Sequence, residues 1–275
     1  MNINIWEKKA YYKDIEDTRP NSDEDFIFIK TLNIIKNFRN CHFLDLGSGE
    51  GWFIDQISKK LDESNNFVGI DVSKTGINGA KNRKIKNAIF IQYDGEKIPF
   101  PDNSFDVTTS NFVFEHLDNP LNVFKEMLRI TKNNGVIIIT CPNFGSPFFR
   151  SPCSKDIRII SLLKRLLMEL LPSIFFKNNL HWKKVTPISL PDNIHVSDYD
   201  TLDEPSLSFF EKYLKANKYK IIELDSFWQK NNYVNNSKKI IDFKKWLFFF
   251  AKKLGVNNIL RFQYNGPVFY AVIKK

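Results

Sequence analysis

The sequence predicts an α/β fold, a largely parallel sheet whose strands are interleaved with helices. Three observations predict it. A short apolar run at 41–46 leads directly into Gly47, Gly49 and Gly51. Apolar residues at helical spacing follow, Phe53, Ile54, Ile57 and Leu61, so the segment reads as strand, tight turn and helix. Further apolar runs of strand length recur at 67–71, 88–93, 105–110 and 135–140, with helical stretches expected at 74–83 and 120–131. The first of these runs ends in an acid, Asp71, 20 residues beyond Gly51.

The glycine turn defines what can be held. Glycine reaches positive φ and lets a ligand approach the backbone. A dinucleotide turn carries G-x-G-x-x-G, its third glycine letting the helix pack under a pyrophosphate. Here the spacing is Gly47-x-Gly49-x-Gly51, and Trp52 stands where that third glycine would be. Asp45 precedes the turn and Glu50 lies within it. Acids at that place disfavour a diphosphate and favour a ligand with cationic groups. S-adenosylmethionine has an ammonium, a sulfonium and no phosphate. The stretch Phe43 to Gly51 resembles motif I of the class I S-adenosylmethionine-dependent methyltransferases, and a glycine turn of another α/β protein is the plainer alternative.

Downstream residues extend the resemblance. Asp71, at the end of the second strand, is placed to accept hydrogen bonds from both ribose hydroxyls, with helix N-capping as its other reading. Val72 and Ser73 follow as neighbours of the adenine. After the third strand comes Asp94-Gly95, then Ile98-Pro99-Phe100-Pro101-Asp102-Asn103-Ser104-Phe105-Asp106. This run is similar to the small-molecule methyltransferases of the ubiquinone-biosynthesis type, in which the acid at Asp94 accepts from the adenine amino group. Ser110-Asn111-Phe112-Val113 differs from the Pro-Pro-aromatic motif of amino-methylating DNA enzymes. The resemblance places Asn111 and Phe112 along the methionine part of the cofactor. It covers about a hundred residues, from Phe43 to Asn143.

The resemblance implies a Rossmann-like seven-stranded sheet of order 3-2-1-4-5-7-6 with strand 7 antiparallel, flanked by helices. Strands six and seven are expected at 220–227 and 267–273. The whole chain, 1–275, is read as a single domain of this type, with helical insertions after strand five and between strands six and seven. Residues 1–22 are polar and irregular, with three aromatics, and are expected to lie over the cofactor pocket. Ser22 or Asp23 is expected to cap a helix running to about residue 38. Lys132-Asn133-Asn134-Gly135 reads as a turn introducing strand five. Residues 144–203 are an insertion expected to cap the substrate pocket, with an amphipathic helix at 156–176. A helix at about 205–216 returns to the sheet. Residues 228–265 are a second insertion, whose basic aromatic stretch 238–254 suits a membrane interface, a lid or a dimer face.

Composition bounds the rest. The chain has 275 residues, 43% hydrophobic, with 26 Phe, 9 Tyr and 5 Trp. No run reaches the ~18–20 apolar residues of a membrane span, and the N-terminal residues lack a signal-peptide apolar region. A cytoplasmic location follows as the expectation, with peripheral contact at the inner face of the membrane left open. Cys41, Cys141 and Cys153 are scattered, as free thiols in a reducing compartment would be. Net charge is +9. Residues 1–150 hold 19 Lys/Arg and 20 Asp/Glu, whereas 151–275 hold 21 and 11. The basic half suits an anionic substrate, a membrane surface or a nucleic acid, or is simply a solvated surface.

The expected activity is methyl transfer to a small molecule, most simply to a hydroxyl of a glycan sugar or of a lipid-linked or hydrophobic intermediate. The cofactor set is Asp45, Gly47, Ser48, Gly49, Gly51, Asp71, Val72, Asp94, Gly95, Asn111 and Phe112. S-adenosylhomocysteine is the implied product. His195, in His195-x-x-x-Tyr199, is the first candidate base, ahead of His181 and His116, each with a structural role as the alternative. Ser110-Asn111 and Cys141-Pro142-Asn143 supply no carboxylate cluster, so no metal is expected. A methyltransferase of RNA or protein, a non-catalytic binding protein of the same fold, and an NAD(P) oxidoreductase are the competing readings, with nucleic acid disfavoured as a partner. The sequence leaves a homodimer open.

Overall fold

Strand β1 (His42–Leu46) buries Phe43, Leu44, Asp45 and Leu46 in succession. A strand buried on both faces sits inside a parallel sheet covered by helices on each side. It pairs in parallel with β2 (Asn66–Asp71) and with β4 (Phe105–Asn111), and β2 pairs in parallel with β3 (Ala88–Gln92). The computed structural model describes residues 5–18, 21–146, 149–155, 160, 163, 180, 182–188, 198–227, 246 and 266–275. The remaining strands are β5 (Thr131–Pro142), the two-residue β6 (Lys183–Lys184) and β7 (Asp203–Glu204), β8 (Lys220–Phe227) and β9 (Val268–Lys274). The main sheet has seven strands in the order β3-β2-β1-β4-β5-β9-β8, so the expected 3-2-1-4-5-7-6 arrangement is present, with β8 and β9 as its strands six and seven. Asn134 N donates to Lys275 O and Lys275 N to Gly135 O, while Asn143 N donates to Pro267 O. β9 therefore runs antiparallel to β5.

Two compact units make up the chain, one of 1–113, 119–139 and 272–275, the other of 114–118 and 140–271. In the first, helices α1 (Lys9–Thr18), α2 (Phe26–Ile35), α3 (Trp52–Ser58), α4 (Lys74–Asn82) and α5 (Pro120–Ile130) accompany the strands. α5 starts at Asn119, whose side chain accepts from Asn122 N, with Pro120 in the first turn. Its Val123, Phe124, Met127 and Ile130 are buried at helical spacing. Each such side chain contributes about 1.5–3 kcal/mol on leaving water.

In the second unit, Phe114, Trp182, Phe210 and Phe269 form one aromatic cluster with centroids 5.8–6.2 Å apart. Helix α6 (Leu207–Ala216) has Ser206 at its cap position without a side-chain cap bond. Asn143 supplies the missing acceptor: its Oδ1 takes Leu207 N at 3.2 Å, and its Nδ2 donates to Gly266 O at 2.9 Å.

Several local expectations are corrected. The 1–22 segment is not irregular, since a 3-10 turn (Ile5–Glu7) and α1 occupy it. Asp25, not Ser22 or Asp23, caps α2, accepting from Ile27 N and Phe28 N. Ser22 instead donates to Gln56 Oε1 at 2.9 Å. α2 ends at Ile35, and α6 begins at Leu207. The stretch read as a turn before strand five lies inside β5, with Asn134 at φ +69° absorbing the irregularity. Of the helix expected at 156–176, only residues 160 and 163 are described. The 228–265 insertion lies outside the described residues apart from Trp246, which is exposed.

Candidate functional site

The turn between β1 and α3 is built by left-handed backbone at all three glycines, φ +72° at Gly47, +50° at Gly49 and +76° at Gly51. Gly47 N and Ser48 N both donate to Ile70 O, at 2.8 and 3.0 Å. The turn is thereby tied to the tip of β2. Space is also restricted. A Cβ on Gly47 would lie 2.2 Å from Val113 Cγ2, and one on Gly51 would lie 2.9 Å from the Phe90 ring. Ser48 is buried, and its hydroxyl has no hydrogen-bond partner among the described residues.

Asp71 is the hinge of the site. Its Oδ2 accepts from Gly49 N at 2.8 Å, and its Oδ1 from Ser73 N at 2.8 Å. One carboxylate thus positions the glycine turn and the start of α4 together. Burial raises its carboxyl above the usual carboxylate range, against the lowering effect of those backbone donors. The helix-capping alternative falls to Ser73, whose Oγ accepts from Gly76 N at 2.9 Å.

Asp45 is equally buried, and its Oδ1 accepts from Thr109 Oγ1 at 2.7 Å and Asn111 Nδ2 at 3.3 Å. Asp45 pairs in register with Gly69 on one side and Thr109 on the other, which aims these groups at one another. Replacing Thr109 with valine keeps the shape and deletes that donor. It is expected to destabilise the fold by about 1–2 kcal/mol in a urea titration, because a buried carboxylate loses a partner.

Asp94 is exposed, and its Oδ1 accepts from Glu96 N at 2.9 Å and Lys97 N at 3.4 Å. Gly95, at φ +85°, brings the chain against Val72, its Cβ position 3.1 Å from Val72 Cγ1. Tyr93 lies between the two acids. Burial first, then Asp71 and Asp94, push its phenol upward. Asn111 is placed by its bond to Asp45. Phe112 takes φ +56° and is exposed, and this left-handed residue turns the chain so that Val113 meets Gly47.

The sequence reading missed the N-terminal contacts. Ser73 Oγ donates to Trp6 O at 2.5 Å, and the Glu7 carboxylate accepts from Lys74 N and Thr75 N at 2.7 and 2.9 Å. Glu7 so occupies the N-terminus of α4, where a negative charge is favoured. Tyr12 is buried, its ring 3.2 Å from the Cβ position of Gly49, and its hydroxyl bonds to Ser73. The only sequence signal for these was the group Trp6, Tyr11 and Tyr12. Tyr93 and Thr109 carried none.

His195 and His181 lie outside the described residues. His116 has Asp200 Oδ2 3.3 Å from Nδ1 and Glu115 Oε1 3.6 Å from Nε2. Among the described residues, no group of three or more His, Cys, Asp or Glu could hold a metal ion.

These residues fit S-adenosylmethionine. The three glycines put no side chain of their own in the turn, and the buried Ser48 hydroxyl among them has no hydrogen-bond partner among the described residues. The donor set is acidic at both ends, suiting ribose hydroxyls and a cationic amino acid and not a diphosphate.

Residues 44–139 match a family model described as a methyltransferase domain. Over 116 residues the chain is 33% identical to a malonyl-[acyl-carrier protein] O-methyltransferase of Buchnera aphidicola, covering 42% of this chain and 45% of that protein. Over 106 residues it is 29% identical to a ubiquinone/menaquinone biosynthesis C-methyltransferase of Azotobacter vinelandii, covering 37% and 42%. The chain spans less than half the length of these curated relatives. In fold it is similar to a SAM-dependent methyltransferase from Aquifex aeolicus, with TM-score 0.54 at 15% identity over 97% of this chain and 99% of that one. A second, from Mesorhizobium loti, has TM-score 0.55 at 10% identity over 93% and 100%.

Proposed function

We propose that the chain, whose residues 44–139 match a family model described as a methyltransferase domain, is a class I S-adenosylmethionine-dependent methyltransferase and that it methylates a small-molecule acceptor, at an oxygen of a glycan sugar or of a lipid-linked or hydrophobic intermediate. The observation that carries the cofactor assignment is the Asp71 carboxylate, which accepts from Gly49 N in the glycine turn and from Ser73 N at the start of α4.

When bound, S-adenosylmethionine supplies a methyl group on a sulfonium that is already a good leaving group. The work left to this chain is alignment, which can lower a barrier by as much as ~7–11 kcal/mol. Asp71 offers oxygen lone pairs to the ribose hydroxyls. Asp45, steadied by Thr109 and Asn111, offers negative charge to the ammonium. Asp94, Gly95 and Val72 border the adenine, while Ser48 and the glycine turn leave room for the backbone to touch the ligand. Asn111 and Phe112 lie along the methionine part.

An oxygen acceptor also has to lose a proton, for which a placed histidine contributes ~10²–10⁴-fold. Both ring nitrogens of His116 face carboxylates, which favours His195 for that role. The two aromatic, basic insertions, 144–203 and 228–265, suit a hydrophobic or anionic acceptor, and the exposed Trp246 supports contact of 238–254 with a membrane surface. No helix among the described residues is long and apolar enough to cross a membrane.

The basic character of residues 151–275 favours one second reading, methylation of RNA or protein. Incubation with methyl-labelled S-adenosylmethionine and a fractionated cell extract separates the two. Label is expected in the glycan or lipid fraction, and calorimetry is expected to show micromolar binding of S-adenosylhomocysteine. Label confined to RNA or protein, with binding that collapses in salt, would transfer the assignment to the second reading. Absence of any S-adenosylhomocysteine binding would remove both.

A further inference from the structure

Within the second unit, the turn after β4 and the segment 198–204 meet around one imidazole. His116 Nδ1 is 3.3 Å from Asp200 Oδ2 and 3.4 Å from the Asp200 carbonyl oxygen, and Nε2 is 3.6 Å from Glu115 Oε1. Glu115 is 1% exposed, and its second oxygen, Oε2, has no hydrogen-bond partner among the described residues. The main chain closes the same contact, because Leu202 N donates to Glu115 O at 2.8 Å.

The charged groups that act on His116 come from two elements. Glu115 belongs to its own turn, and Asp198 and Asp200 to the facing segment. At the end of β5 the buried thiol of Cys141 lies in the field of Glu115 and Asp198. The neighbouring β6–β7 ladder adds two further pairs, Lys184 to Asp203 at 2.6 Å and Lys183 to Glu204 at 3.9 Å, and Lys184 also donates to the Asp118 carbonyl.

We propose that Glu115 and Asp200 are positioning residues: acting through His116, they fasten the 198–204 segment to the turn after β4, and loss of the protons held on Glu115 and His116 releases it. With Glu115 protonated and His116 cationic, one imidazolium faces two aspartates. Losing the Glu115 proton then adds a negative charge beside those aspartates, where water hardly reaches, and burying such charge is costly. An imidazole alone could bridge two acids passively. A passive bridge would not leave a fully buried carboxyl oxygen beside it without a donor.

The direction with pH follows from the surroundings. Burial lifts the Glu115 carboxyl to about 8, with His116 opposing. Burial lowers the His116 value, but Glu115, Asp200 and Asp198 outweigh it and the net movement is upward. Both groups therefore bind protons more tightly folded than unfolded. Their contribution is complete at acid pH and is lost as pH rises, for Glu115 between 4.5 and about 8 and for His116 as pH passes its raised value. The fastening concerns the segment 198–204 and does not depend on the reaction proposed above.

Hydrogen exchange at the Leu202 amide tests this, read against the Leu46 amide in β1 and corrected for intrinsic exchange. In the wild type, Leu202 protection should fall by about tenfold per pH unit for each proton released as pH rises from about 6.5 to 8.5. H116Q should show low protection with a shallower dependence on pH, since Glu115 still titrates. E115Q, which keeps a neutral side chain in place, should retain protection at the alkaline end. If Leu202 follows Leu46 at every pH in the wild type, or if H116Q matches the wild type, the proposal is overturned. Should H116Q also lose protection at Leu46, the wild-type profile and E115Q decide the matter, and a pH-flat wild type or an E115Q profile identical to it counts against the proposal.

Discussion

Replacing Asp71 with alanine is expected to weaken S-adenosylhomocysteine binding by about a hundredfold or more. Each hydrogen bond to a charged group is worth about 1.5–3 kcal/mol. Losing two ribose hydroxyl partners thus costs at least about 3 kcal/mol, and each 1.4 kcal/mol is about tenfold in affinity. A further loss arises before any ligand is present, because the same carboxylate accepts Gly49 N and Ser73 N. Without it, the glycine turn is no longer tied to the start of α4.

The interaction also has a pH signature. Burial raises the Asp71 carboxyl, so in the free protein this group favours the folded state more at acid pH, and that contribution fades as pH rises from 3.8 through the raised value. Ligand hydroxyls and backbone donors prefer the ionised form. Affinity for S-adenosylhomocysteine is therefore expected to fall as pH drops through the raised value, and D71A should lack that dependence. Calorimetry of both proteins across the acid range measures it, and equal affinity in the two would withdraw the cofactor assignment.

Gly47→Ala is expected to produce the largest loss of stability among single changes in the turn. The residue sits at φ +72°, where a side chain costs about 1–2 kcal/mol. Its new Cβ would fall 2.2 Å from Val113 Cγ2, and forcing atoms into packed space costs about 1–3 kcal/mol. The two together predict about 2–5 kcal/mol by chemical denaturation. Adding Val113→Ala separates them. That change removes the Cγ methyl groups and leaves Val113 Cβ at 3.2 Å, so the overlap is relieved while the backbone strain stays. A double variant no more stable than Gly47→Ala alone would mean that Val113 does not close the turn.

What was legible before the structure was the local chemistry of the central sheet. The Phe43–Leu46 run, the three alternating glycines and the acid ending the second strand each carry their conformational reason within a few residues. The N-terminal helix was not legible in this way. Residues 9–18 have few apolar positions, and α1 is held by what lies elsewhere: Tyr12 against Gly49 and Gly76, Glu7 on the first amides of α4. The cap of α2 shows the same division. Ser22, Asp23 and Asp25 all have the side-chain chemistry of a cap, and Ser22 is occupied by Gln56, 34 residues away. Asn134 has turn chemistry in the sequence, yet pairing with Lys275 keeps it inside β5.

By itself, the sequence determined the order of the sheet's elements and the glycine turn after the first strand, because glycine, proline and carboxylate chemistry at a strand end acts over a few residues whatever surrounds it. Only the tertiary structure decided which groups hold those residues in place: Thr109 on Asp45, Glu7 on α4, Asn143 on α6, and Glu115 and Asp200 around His116. Apart from the adjacent Glu115 and His116, such partners are separated by tens of residues, and a polar side chain shows no preference among distant partners until the backbone has brought one of them within hydrogen-bonding reach and water has been removed from between them.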